Sequence, residues 1–163
     1  MAHLITGIFH SRENAEHAVD DLIRAGFSHN DVSLLMTDKT KARDFDIKKA
    51  TKAPEGAATG AAIGGTLGAV AAGLAAVGSI TIPGFALFAA GPLVAALTGL
   101  GAGAAAGGIT GALVGLGVPE HEAKFYKGEL ERGHILVGVH ATDDRMAQAR
   151  AILDSAGAER VTT

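Results

Sequence analysis

Seven histidines and no cysteine set the chemical range of this 163-residue chain. His10 closes one apolar alternating stretch, "HLITGIF", and His134 opens another, "ILVGVH". Antiparallel pairing of the two stretches would put His10 beside His134 at one end and His3 beside His140 at the other. Two imidazoles are one ligand short of a zinc site, so both pairs read as polar strand ends. A small histidine-ligated metal protein, with an activity built on His10, His134 and His140, is the chemical alternative. "PEHEAKFYK" lacks the second histidine of a zinc-protease helix, and the paired glycines near residue 107 have neither the preceding strand nor the Lys-Ser/Thr of a phosphate loop. No nucleophile, base and orienter stand together. The expectation is therefore no enzyme, no catalytic residue, no cofactor or metal, and no small-molecule substrate. Without cysteine there are no disulfides. A net charge of −3 gives no reason to expect nucleic acid.

The histidine-bearing stretches belong to two flanks that resemble each other at an offset of 131 residues. "LITGIFHSRENAEHAVDDLIRAGF" lies over "ILVGVHATDDRMAQARAILDSAGA", matching Gly7 with Gly138, Ala18 with Ala149 and Leu22 with Leu153. Each flank reads as strand, capped turn, helix and glycine stop. Ser11 and Thr142 are the expected N-caps, and Gly26 and Gly157 the C-terminal glycines. A further short strand follows each helix, "DVSLLMT" (31–37) and "RVTT" (160–163). Two such halves pair into one α+β, ferredoxin-like split sandwich. Leu4, Thr6 and Ile8 are expected to face the helices with Ile135, Val137 and Val139. The other face would carry Ile5, Gly7 and Phe9 beside Leu136, Gly138 and His140. It is too apolar to be left in water, so something should cover it.

Between the flanks, Gly56 to Val118 is a run of 63 residues without a charged side chain or histidine. The expected domains are 1–38 with 119–163 (the sandwich), a basic linker 39–55, and an apolar helical hairpin 56–118. Gly56, Gly60, Gly64 and Gly68 fall every fourth residue in its first arm. Gly99, Gly103, Gly107, Gly111 and Gly115 do so in its second. Each helical glycine costs about 1 kcal/mol relative to alanine. The spacing collects them on one stripe, which suits close helix–helix packing. Pro83, Gly84 and Pro92 mark the break between the arms. The first arm, about 34 Å long at 1.5 Å per residue, matches a bilayer core of about 30 Å. Lysines at its entrance, among them Lys48, Lys49 and Lys52 as candidate headgroup contacts, place the globular part in the cytoplasm by the positive-inside rule. The N-terminus has no signal-peptide pattern. After the insertion, "VPEHEAKFYKGELERG" reads as a helix with Pro119 in its first turn and Gly133 beyond its end. Phe125 and Tyr126 are its packing residues.

"GIFHSRENAEHAVDDLIRAGF", "IPGFALFAAGPLVAALTG" and "GLGVPEHEAKFYKGELERGHILVGV" together resemble the bacterial general stress proteins of the heat-induced and low-temperature-induced groups. The overall plan is more loosely similar to the membrane-anchored subunit of the alternative quinol-oxidising complex, where a helical hairpin interrupts a ferredoxin-like domain. This resemblance implies a stress-associated protein, often tied to membranes, and supplies no catalytic residue. The expected protein is a homo-oligomer at the cytoplasmic face of the inner membrane, with its hairpins in lipid. The alternative is a soluble cytoplasmic assembly that buries the hairpins in a protein-only or lipid-filled core.

Overall fold

The computed structural model describes residues 2–28, 30–37, 40, 80–82, 85–87, 101–115 and 117–162. In chain order the elements are β1 (Ala2–Phe9), α1 (Arg12–Arg24), β2 (Val32–Leu35), β3 (Ile80–Ile82), β4 (Phe85–Leu87), α2 (Gly101–Gly115), α3 (Glu120–Glu131), β5 (Ile135–Thr142), α4 (Met146–Ser155) and β6 (Glu159–Thr162). The fold is α+β. Four strands form an antiparallel sheet in the order β2-β5-β1-β6, and β3 pairs antiparallel with β4 in a separate ribbon.

Local chemistry explains the helices. Ser11 caps α1 by accepting a hydrogen bond from the Asn14 N–H (3.2 Å), and Ala15, Ala18, Val19 and Leu22 make its buried stripe. Thr142 does not cap α4. It ends β5, Arg145 takes the N-cap position, and the Thr142 hydroxyl bonds Asp144, holding that carboxyl below its usual range. Three turn residues, 143–145, separate strand from helix in the second flank, so the cap falls later than the offset of 131 implies. Gly26, Gly133 and Gly157 follow helices with φ of 89°, 99° and 86°, a region open to glycine, and Gly117 does the same after α2. At all four ends the residue after the glycine donates its N–H to the carbonyl five residues back: Phe27 to Leu22, Val118 to Leu113, His134 to Glu129 and Ala158 to Leu153. This is the Schellman closure. Arg145 adds a cation at the α1 terminus, donating to the Ala25 carbonyl (2.8 Å) and stacking over Phe27.

Both sheet faces are covered. On one, α1 and α4 bury Ile5, Phe9, Val32, Leu34, Ile135, Val137 and Val139. On the other, α2 and α3 bury Ile8, Leu35 and Leu136 through Ile109, Leu113, Ala123, Tyr126 and Leu130. The expected facing of β1 is therefore reversed. Ile5, Gly7 and Phe9 point to α1 and α4, whereas Leu4, Thr6 and Ile8 point to α2 and α3. The register requires this, because Ile5 lies opposite Val139 and Phe9 opposite Ile135, and opposed residues share a face. The helices do match at 131, with Ala18, Leu22, Ala149 and Leu153 in one cluster. The strands match only at an even offset, and one residue of slip flips every side chain. Ile5, Phe9 and Leu136 are consequently core residues, not a free face for contacts between copies.

The insertion is described in part. β3 and β4 reverse the chain where the sequence places the hairpin break, but as a β-ribbon. α2 carries part of the second arm and is interrupted at Gly108 (φ 56°, ψ −145°). That break takes Gly103 and Gly107 out of helical phase with Gly111 and Gly115, so one continuous stripe does not run along α2. Gly56, Gly60, Gly64, Gly68, Gly99, Pro83, Gly84, Pro92, Lys48, Lys49 and Lys52 lie outside the described residues.

Candidate functional site

Four chemistry-bearing side chains meet at one end of the sheet, each from a different element. His10 follows β1, Glu129 lies on the buried stripe of α3, His134 precedes β5, and Glu159 opens β6. Antiparallel register brings the two histidines together, as the sequence suggests. Their ring centroids are 4.1 Å apart with planes tilted by 31°. The His10 Nε2 lies 2.6 Å from a Glu159 oxygen.

Glu129 is the residue that sequence spacing misses. Its neighbours on the α3 stripe are Ala123, Tyr126 and Leu130, and at 4% exposure it occupies a core position. One carboxylate oxygen meets His134 Nδ1 at 2.6 Å and the other meets Arg132 Nη1 at 2.5 Å. The Schellman turn fixes this arrangement, since it folds residue 134 back onto residue 129 (N···O 3.1 Å). His10, Glu129 and His134 each offer one ligand atom, and these atoms all lie within 4.8 Å of one another. Two histidines thus acquire the third partner they lack in sequence. A Glu and a His five apart around a helix-ending glycine is the signal that could have found it.

Other expected groupings separate. His140 sits six positions along β5 from His134, about 20 Å away at 3.3 Å per residue, so His10, His134 and His140 form no single centre. His3 lies opposite Ala141, with His140 opposite Leu4 on the other face, so His3 and His140 do not pair. His3 instead meets Asp143 at 2.8 Å. Burial lowers the His140 pKa against the opposing pull of Asp31, and its Nδ1 is buried without a hydrogen-bond partner among the described residues. Tyr126 is buried and Phe125 half-buried against the sheet, as expected for packing residues. The Tyr126 hydroxyl accepts from Thr6 Oγ1 at 2.9 Å. On α2, Gly107 and Gly115 are exposed and Gly111 is half-buried. A Cβ at Gly107 would meet nothing within 4 Å. No helix among the described residues is long and apolar enough to cross a membrane.

A four-stranded antiparallel sheet between two helical layers, with a His-Glu-His cluster at one end, defines an α+β protein. The family model of the heat-induced stress protein YflT domain matches residues 5–97, and the chain belongs to that stress-protein family. No curated protein and no solved structure matches it.

Proposed function

We propose that this stress-associated protein is a non-enzymatic structural component. In this reading a ferredoxin-like split sandwich carries a Gly/Ala-rich hairpin that associates with membrane lipid and self-assembles. The sheet order β2-β5-β1-β6, from two strand-helix-strand halves, supports the sandwich. What carries the assembly reading is the two-sidedness of α2. Ile109, Ala112 and Leu113 are buried against the sheet, while Gly107 and Val114 lie exposed in a 63-residue segment without charge. A bare apolar side of this kind gains by meeting lipid or another copy. Cytoplasmic-face placement follows from the lysines flanking the segment, and those lysines, Lys48, Lys49 and Lys52, are the headgroup contacts in this reading.

The second reading, a soluble homo-oligomer that buries its hairpins away from water, is favoured by the length of α2. Fifteen residues span about 22 Å, less than a bilayer core of about 30 Å, and Gly108 interrupts them. Fractionation of native cells with a carbonate wash separates the two. Retention in the membrane pellet supports lipid association, and a large soluble particle by light scattering supports self-burial. A monodisperse monomer in detergent-free buffer refutes both. Leucine at Gly103 and Gly107 should disperse the assembly although it makes the segment more apolar. Unchanged assembly would mean that the glycines are only composition.

A further inference from the structure

We propose that His10, Glu129 and His134 bind a divalent transition metal of the zinc class. Three observations converge on these residues. The first is the donor set: two imidazole nitrogens and one carboxylate oxygen, all within 4.8 Å. Nitrogen donors suit zinc and its neighbours, whereas magnesium and calcium take oxygen cages. The second is the departure of α3 from the other helix ends. The Schellman pair is Leu22–Phe27 in α1, Leu113–Val118 in α2 and Leu153–Ala158 in α4, the apolar contact that usually accompanies this closure. In α3 the pair is Glu129–His134, a nearly buried carboxylate where an apolar residue would serve stability better. The third is Glu159. It sits 2.6 Å from His10 Nε2, where a carboxylate orients a ligating imidazole and leaves the other ring nitrogen for the ion.

The fit needs modest movement. Tetrahedral zinc with bonds of about 2.0–2.1 Å sets its donors about 3.4 Å apart. The His10 side chain is 57% exposed and swings without disturbing the core. Arg132, 71% exposed, yields its place on Glu129 to the ion. Three protein ligands leave one position open to water or a small anion.

The test uses full-length protein without a histidine tag, stripped with EDTA. Zinc is titrated calorimetrically and cobalt by its visible d–d absorption. One ion per chain with tetrahedral cobalt bands is expected. His10→Asn and Glu129→Gln should each weaken zinc at least tenfold, and Glu159→Gln by about tenfold as an orienting partner. His3→Asn should change nothing. His10→Asn alters an exposed side chain, so it decides the matter even if Glu129→Gln does not fold. Absence of zinc binding, binding unaffected by His10→Asn, or binding lost with His3→Asn would overturn the proposal.

Discussion

Exchanging the hydrogen-bonded Glu129–His134 pair at the end of α3 for an apolar pair should leave the fold intact and at least as stable. Glu129→Leu with His134→Val copies the Leu113–Val118 pair that closes α2. Replacing a buried ion pair by well-packed apolar groups is neutral to stabilising by about 1–4 kcal/mol. The His134 side chain is 24% exposed, so its desolvation is incomplete, and the gain should fall near the low end, about 1 kcal/mol. His134→Val alone should act in the opposite sense, because it strips one hydrogen-bond partner from a carboxylate that is 6% exposed. Removing a partner from a fully buried pair costs about 3–5 kcal/mol. Arg132 stays on the other oxygen, so a loss of about 2 kcal/mol is expected for the single variant.

The chain supplies its own probe for this measurement. Tyr126 is the one tyrosine, tryptophan is absent, and the ring is buried between α3 and the sheet. Urea unfolding followed by tyrosine fluorescence therefore reports the contact that the substitutions change. EDTA keeps metal linkage out of the comparison. The double variant should exceed His134→Val by about 3 kcal/mol, the difference between the two estimates above. A double variant no more stable than the single one would refute the reasoning, and would make Glu129 a packing residue in its own right.

Gly7→Ala should destabilise, since a Cβ there would sit 2.9 Å from the Ala158 Cβ. Overpacking of about 1–3 kcal/mol outweighs the 0.4–1 kcal/mol gained by stiffening the unfolded chain, and a melting temperature unchanged or raised in calorimetry would contradict this. His140 should make stability fall in mild acid. Burial holds its native pKa below 6.5, so the unfolded chain takes up the proton first. The contribution is complete above about pH 6.5 and is lost as pH falls through the native pKa. Urea midpoints at about pH 7 and pH 5 should converge in His140→Gln relative to wild type, and equal slopes in the two proteins would dismiss His140 as the source.

Much of the sheet is legible in the sequence because its signals are local. Alternation marks β1 and β5, Ser11 marks the start of α1, and Gly26, Gly133 and Gly157 mark three helix ends. What escapes are consequences of long-range register. The halves match at 131 through their helices, yet β1 and β5 are out of phase by one residue. Glycine alignment alone therefore assigns Leu4 and Ile8 to the wrong layer. Glu129 escapes for a related reason. Nothing local distinguishes it from Glu131 until Gly133 folds the chain back and β1 delivers His10 from 119 positions earlier. Gly108 escapes because a glycine every fourth residue is compatible with a helix whether or not one glycine breaks it.

The same register ties the cluster to the insertion. β2 runs antiparallel to β5, with Leu35 opposite Leu136, so β2 ends beside the start of β5. The chain thus leaves the sheet for the insertion at the end where His10, Glu129, His134 and Glu159 gather. It returns through α2 and α3, and the last turn of α3 brings Glu129 back to that end. An ion held by His10 and Glu129 would join β1 to α3 across that exit. It would stabilise the return limb. Binding to the folded chain alone adds about 2.7 kcal/mol at a hundredfold excess over the dissociation constant. That stabilisation would act on the α3–sheet contact reported by Tyr126.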